Sequence, residues 1–86
     1  MIKKINELIT KIENVKKEGF SSEEKRAHLS SQVNGIISGL FGIDRGTAYV
    51  TYINSRAGLP FSPSPTDIFE IKCKKMLEYL ISIKEE

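Results

Sequence analysis

The sequence predicts an all-α fold, an antiparallel up-down-up-down four-helix bundle that forms a single domain over residues 1–86. Apolar residues recur at spacings of three and four in four separate segments, which is the period of an amphipathic helix. The connections between these segments are about two to eight residues long, and short connections make sequential helices antiparallel. With 86 residues, 40% of them hydrophobic, the chain has enough apolar material for one core but not for a second domain.

The first helix is predicted over residues 2–18. Its apolar face consists of six residues at helical spacing: Ile2, Ile5, Leu8, Ile9, Ile12 and Val15. Most of the remaining positions are lysine or glutamate, as expected for a solvent-exposed face. Gly19 suits the left-handed position just after a helix, and Phe20 is expected to fold back onto the last turn.

The second helix is predicted to begin at Ser21 and to end near Gly42. Ser21 and Glu24 have the spacing of a capping box, in which the serine bonds the backbone at Glu24 and the glutamate reaches back. The apolar stripe comprises Leu29, Val33, Ile36, Ile37 and Leu40. Gly35 and Gly39 lie inside this helix, where each costs about 1 kcal/mol relative to alanine. They indicate either the close approach of a neighbouring helix or a kink.

The third segment is the ambiguous one. Residues 47–53 are rich in β-branched and aromatic side chains, a composition that also suits a strand. A lone strand would have no partner in a chain of helical periods. One helical face collects Tyr49, Tyr52, Ile53 and Ala57. We therefore predict a helix over residues 45–57, capped by Asp44 and stopped by Gly58.

The fourth helix is predicted to start after Ser64 and to run almost to the C-terminus. Proline is favoured at the first helical position, whereas the residue before a proline avoids helical geometry. Ser64 is therefore expected as the N-cap, followed by Pro65. The apolar seam comprises Phe69, Cys73, Met76, Leu80 and Ile83, and it is widened by Ile68, Leu77 and Ile81. At 1.5 Å per residue, this helix is about 30 Å long.

The residue types that support catalysis or metal binding are sparse. The one histidine, His28, follows Glu24 by four residues, a spacing more typical of a surface hydrogen-bonded pair than of a metal site. Cys73 lies on an apolar seam, which favours burial over a reactive thiol whose pKa is lowered by Lys72 and Lys74. No phosphate-binding glycine motif occurs. We therefore expect no catalytic residue, no metal, no cofactor and no enzymatic activity.

The charge pattern bears on partners and location. Basic and acidic residues are interleaved and leave a net charge of +2, so nucleic acid is not expected as a partner. Lysines on the first and fourth helices form basic faces that are compatible with weak contact with an anionic membrane surface. The single cysteine and the charged N-terminal segment predict a cytoplasmic protein without a signal peptide or membrane span. Any membrane association is expected to be loose and at the inner face.

The connector over residues 56–62 is the stretch that most suggests binding. Its apolar residues either cover the end of the bundle or meet a partner, and the sequence leaves both interpretations open while favouring the cover. Five residues are expected to contact a partner that binds there: Arg56, Leu59, Phe61, Lys72 and Lys75.

Part of this region resembles a known family. The relevant residues are Tyr52-Ile53-Asn54 and Gly58-Leu59-Pro60-Phe61-Ser62, followed by the fourth helix. This order is similar to that of the immunity proteins of class IIa (pediocin-like) bacteriocins, the enterocin A immunity family of Gram-positive bacteria. In that family the third helix closes, an apolar-Phe-Ser/Thr turn follows, and a long amphipathic helix begins. Size and four-helix order agree over almost the whole chain.

The resemblance implies a cytosolic protein that protects its own cell from a pore-forming peptide without catalysis. The implied partners are the bacteriocin's membrane receptor, a mannose-type sugar transporter, and the bacteriocin-receptor complex. Contact would occur at the cytosolic side of the receptor, through the 56–62 connector and the exposed side of the third and fourth helices.

The alternative is a small regulatory or adaptor helical-bundle protein of a phage or mobile element. The second and third helices, joined near Gly42, could imitate a helix-turn-helix motif. The start of the third helix, Asp44-Arg45-Gly46, offers only one basic residue for phosphate contacts. DNA recognition is therefore disfavoured, and protein binding is the expected activity under this alternative as well.

Overall fold

A computed structural model describes residues 2–85 of the chain. Over this range the protein is all-helical, with four α-helices and no strand. The helices are α1 (Ile2–Glu18), α2 (Glu23–Phe41), α3 (Ile43–Asn54) and α4 (Pro65–Glu85), and a short 3-10 helix (Phe20–Ser22) precedes α2. The all-α prediction is confirmed, and residues 47–53, the stretch with strand character, lie inside α3.

One apolar core joins the four helices. Its buried members are Ile5, Leu8, Ile12, Val15, Leu29, Val33, Ile37, Tyr49, Ile53, Phe69, Cys73, Met76, Leu80 and Ile83. Burial of each valine, leucine, isoleucine, phenylalanine or methionine side chain among them stabilises the fold by about 1.5–3 kcal/mol relative to an exposed one. The predicted faces are thus largely confirmed. Ile2 and Ile81 are exposed, however, and Ala57 lies beyond the end of α3.

The corner between α1 and α2 differs from the predicted caps. Gly19 has φ 85° and ψ −169°, so its φ is positive as expected but its ψ is extended rather than left-handed helical. The Phe20 ring meets Phe69 of α4 edge to face, with centroids 6.4 Å apart. This contact joins the corner to α4. The capping residues around Gly19 give no indication of such a distant contact.

The capping box predicted at Ser21 is wrong. The Ser21 hydroxyl donates to the carbonyl of Glu18 at 3.4 Å, and α2 begins two residues later. The buried Ser22 hydroxyl lies 2.9 Å from the Val15 carbonyl and 2.7 Å from the Gly19 carbonyl. These contacts hold the chain in a 3-10 turn, and Ser22 occupies the N-cap position without a side-chain cap bond.

Gly42 alone separates α2 from α3. Its φ of 100° is accessible mainly to glycine. Its N–H donates to the Ser38 carbonyl at 2.9 Å, and its own carbonyl accepts from the N–H groups of Arg45 and Gly46. Gly42 therefore ends one helix and caps the next, and the prediction of Asp44 as the cap is wrong, because Asp44 lies in the first turn of α3.

The close helix approach occurs at Gly46 rather than at Gly35 or Gly39. A Cβ atom at position 46 would collide with Ser38 Oγ and lie 2.8 Å from Asn34 Oδ1. At Gly35 and Gly39 a Cβ would meet nothing within 4 Å. The glycines of α2 are thus not required by packing inside this chain, whereas Gly46 lets α3 approach α2.

The start of α4 matches the prediction. The Ser64 hydroxyl accepts from the Asp67 N–H at 3.1 Å, and an Asp67 carboxylate oxygen accepts from the Ser64 N–H at 3.0 Å. Pro65 is the first helical residue. This reciprocal box fixes the point where the connector ends. Within residues 2–85, none of the helices combines the length and the apolar character that a bilayer crossing requires.

Candidate protein-binding site

The connector between α3 and α4 covers residues 55–64. It turns at Gly58, whose φ is 86°, and the Leu59 N–H donates to the Arg56 carbonyl at 3.1 Å. Leu59 is partly buried, but the side chain of Phe61 is 97% exposed. The favoured interpretation that the connector covers the end of the helices is therefore wrong for Phe61. An aromatic ring that is so exposed contributes almost nothing to the core and is available to a partner.

A cleft of about 200 Å³ lies between the end of α3, this connector and the first turns of α4. Its apolar lining comes from Ile53, Leu59, Ile68 and Ile71. Arg56 and Lys72 also line it, so two cations border an apolar depression. The eight lining residues include no carboxylate. Three of the five predicted site residues, Arg56, Leu59 and Lys72, therefore share one cleft, and Phe61 lies outside it on the same connector.

Lys75 is placed differently from the prediction. Its side chain was expected on an exposed partner surface, but the residue is only 5% exposed. Its ammonium donates to the carbonyl and the hydroxyl of Ser55, both at 2.9 Å, and lies 5.6 Å from the centroid of the Tyr52 ring. The charge is thus used inside the fold, at the residue where the connector begins, and a partner does not reach it.

Tyrosines fill the contact between α3 and α4 next to Lys75. The Tyr79 ring lies 5.2 Å from Tyr49 and 5.9 Å from Tyr52, centroid to centroid. The Tyr52 hydroxyl donates to Glu78 at 3.0 Å; burial, followed by this bond and the charge of the carboxylate, raises the pKa of Tyr52. The base of the connector therefore rests on a well-packed pair of helices.

A buried arginine was missed by the sequence reasoning. Arg26 is 5% exposed; its guanidinium forms a two-point ion pair with Glu23 and lies 3.7 Å from the Met76 sulfur. The signal was available, because Arg26 precedes Leu29 and Val33 at helical spacing and so continues the apolar stripe of α2. Its partner Glu23 stands one turn before it, which satisfies the charge locally.

The remaining reactive groups are buried or dispersed. Cys73 has no exposed surface, and burial raises its pKa to about 11, so the expected burial is confirmed. Burial likewise raises the pKa of Tyr49 to about 12, although a 3.1 Å hydrogen bond with Ser30 opposes this shift. Glu24 and His28 are both exposed. Within residues 2–85, no group of three or more His, Cys, Asp or Glu side chains could hold a metal ion.

Two other surfaces differ from the cleft in their charge or their shape. A groove of about 580 Å³ between α1 and α2 is lined by Lys11, Lys25 and Glu24, among others, and so presents both signs of charge. At the junction of α2 and α3, Ile43 is 78% exposed, and the adjacent Phe41 ring is covered on one side by the Arg45 guanidinium at 5.1 Å. The cleft beside the connector, in contrast, combines an apolar lining with two cations and no carboxylate.

The chain matches no protein-family model, no curated protein and no solved structure in comparisons with each of these sets.

Proposed function

We propose that the protein is a non-catalytic immunity protein of the class IIa bacteriocin type, which protects its own cell by binding at the cytosolic side of the bacteriocin receptor. The observation that carries this proposal is the exposure of Phe61, at 97%, in the turn that resembles the family's apolar-Phe-Ser/Thr turn. Aromatic residues are enriched in the surfaces by which proteins bind one another, and the exposed Phe61 ring stands beside an apolar cleft.

The proposal includes the antiparallel up-down-up-down topology, which the helix contacts support. Ser30 of α2 meets Tyr49 of α3, whereas Ser38, further along α2, lies against Gly46, earlier in α3. Residue numbers run in opposite directions in the same way between α3 and α4, where Tyr52 pairs with Glu78 and Ser55 with Lys75. A bundle of this kind presents its connectors at its ends, where a partner has access to them.

The mechanism is differential binding to one state of the receptor. The protein binds the toxin-altered receptor more tightly than the resting receptor and, once bound, blocks the open pore. Protection requires no chemical step, and its strength depends on the difference between the two affinities. The expected partners are therefore the mannose-type transporter and its complex with the bacteriocin.

The test is expression in the cytosol of a sensitive Gram-positive strain, followed by challenge with a panel of pediocin-like bacteriocins. Wild-type protein is expected to raise tolerance to one or a few of them, and Phe61→Ser to reduce that tolerance without changing the free energy of unfolding. Ile43→Ser is the matched control, because Ile43 is also apolar and highly exposed but lies at the junction of α2 and α3.

Two results would contradict the proposal. One is the absence of protection against every bacteriocin although the folded protein is present in the cells. The other is protection that is lost in Ile43→Ser and retained in Phe61→Ser. The exposed patch around Ile43 is the observation that favours the second candidate, an adaptor protein of a phage or mobile element, and this latter result would support it.

A further inference from the structure

We infer that the cleft beside the connector receives an apolar side chain from a segment of a partner protein that carries acidic residues next to that side chain. The inference rests on the proposed function, because it names the partner chemistry of the same surface. The residues of this surface have different roles. The cations at the cleft select the segment by its charge, and Phe61 adds apolar contact outside the cleft.

The size of the cleft fits a side chain. Pockets for drug-sized ligands usually measure about 300–1,000 Å³, whereas this cleft measures about 200 Å³. Ile53 is buried, and Leu59, Ile68 and Ile71 are partly buried. A leucine- or phenylalanine-sized group would therefore cover apolar surface that water now touches, and a larger ligand would extend beyond the walls.

The charge of the rim defines the rest of the partner. Arg56 and Lys72 line the cleft, and within residues 2–85 neither forms a salt bridge with a carboxylate of the chain itself. Their charge therefore remains available, so an acidic segment is attracted and a lysine-rich one is repelled. The groove between α1 and α2 makes no such selection, because Lys11, Lys25 and Glu24 line it together.

The shape favours a protein segment over a lipid surface. A bilayer is engaged by apolar side chains that protrude, with cations around them. Here Arg56 and Lys72 border a depression, and the protruding Phe61 is not among the residues that line it. A side chain on a peptide can enter such a depression, whereas a bilayer surface covers it without filling it.

The experiment is a titration of the full-length, isotope-labelled protein with two synthetic amphipathic peptides. One contains leucine, alanine and glutamate, and its twin has lysine at every glutamate position. We expect the acidic peptide to shift the amide resonances of Arg56, Leu59, Ile68 and Lys72 and to bind at least about tenfold more tightly than the basic twin at low salt.

Variants assign this preference to the cleft. Arg56→Gln and Lys72→Gln are each expected to weaken binding of the acidic peptide about two- to fivefold, the range for exposed ion pairs, and high salt should remove the difference. Lys74→Gln is the matched control: it removes the same charge from an exposed α4 residue that does not line the cleft. Its affinity should equal that of the wild type, and thermal denaturation verifies that all three variants are folded.

Three results would overturn the inference: equal affinity for the two peptides, resonance shifts that do not include the residues lining the cleft, or an equal loss of affinity in Lys74→Gln. A fourth result would overturn the inference and indicate a membrane as the partner. In that case the protein binds vesicles that contain phosphatidylglycerol, this binding depends on Arg56 and Lys72, and the acidic peptide does not bind. Cellular protection without peptide binding refutes the cleft inference alone. Cleft-dependent peptide binding without protection against any bacteriocin refutes the immunity proposal alone.

Discussion

Lys75 shows how a buried charge can be used to fix the end of a helix. A lysine without partners is costly to bury, but here the ammonium has two oxygen acceptors on Ser55 and an aromatic face on Tyr52. Ser55 has an extended ψ of 156°, so the chain leaves helical geometry at the residue that Lys75 holds. The lysine therefore positions the start of the connector without contacting a partner.

Replacing Lys75 tests this positioning role. Lys75→Met keeps a stem of similar length but leaves the Ser55 oxygens without their donor, so we expect a loss of about 1–2 kcal/mol in the free energy of unfolding. Urea denaturation measures the loss. The amide resonances of Ser55 and Arg56 should shift, whereas those of α1 should not. Lys74→Met, an exposed neighbour, is expected to stay within about 0.5 kcal/mol of the wild type; an equal loss in both variants would contradict the role.

The sequence predicts only in part which charged residues are buried and which partners they bind. Lys75 follows the charged residues Glu70, Lys72 and Lys74, so the spacing of apolar residues along α4 does not predict that it is buried. Its partner Ser55 lies 20 residues earlier in the chain. Arg26, in contrast, has its ion-pair partner three residues away and lies on the apolar stripe, so the sequence could have indicated it.

At the scale of single elements, periodicity predicted all four helices, and tertiary contacts decided where they end. The third helix was placed at residues 45–57 because Gly58 is the nearest local stop, but it ends at Asn54. The contact of Lys75 with Ser55 lies just beyond that end. The N-cap predicted at Ser64 formed, and the capping box predicted at Ser21 did not, because the Ser22 hydroxyl is buried against the carbonyls of Val15 and Gly19.

The box at Ser64 leads to a prediction for α4. Ser64→Ala removes the acceptor of the Asp67 N–H and is expected to cost about 1 kcal/mol, as is typical for an N-cap. Ser62→Ala should be close to neutral, because Ser62 is exposed and lies outside the box. Denaturant midpoints of the two variants give their order. If Ser62→Ala were the more destabilising, α4 would begin earlier in solution than Pro65.

For the molecule as a whole, one core supplies the stability, and its only thiol lies within it. Cys73 has no exposed surface and lies on the buried seam of α4. Reaction of this thiol with a disulfide reagent therefore requires an opening of the core. The rate of labelling becomes a measure of how often the whole domain opens.

The expected labelling rate follows from the size of the domain. A stability of about 4 kcal/mol, near the lower end for 86 residues, slows reaction about a thousandfold relative to the unfolded chain. The pKa of Cys73 is raised from 9.0 to about 11, so its contribution to stability is full below pH 9 and is lost as the pH rises towards 11. The rate of labelling should therefore increase as the pH rises, because the open state, in which the thiol reacts, becomes more populated.

Urea supplies the control for this measurement. If labelling requires global opening, low concentrations of urea will accelerate it with the same dependence that equilibrium unfolding shows. Labelling that is fast and insensitive to urea would mean that α4 separates locally from the core.

The predictability of the candidate site follows from the same division between local and distant contacts. The connector stands out in the sequence because apolar residues in a short connector either cover the end of the bundle or meet a partner, and the structure brings Arg56, Leu59 and Lys72 to one cleft. The sequence does not predict that Leu59 is partly buried while Phe61 is exposed. They depend on the direction in which the chain leaves Gly58 and on the side chains that α4 presents beneath it.

The connector over residues 55–64 also has an evolutionary consequence. It is the longest non-helical stretch within residues 2–85, and the other two junctions are a single glycine and a compact turn built on a buried serine. Insertions and substitutions are tolerated best in such exposed stretches. A lineage that carries this domain can therefore alter the length or the exposed side chains of the connector while the core that keeps the protein folded stays the same.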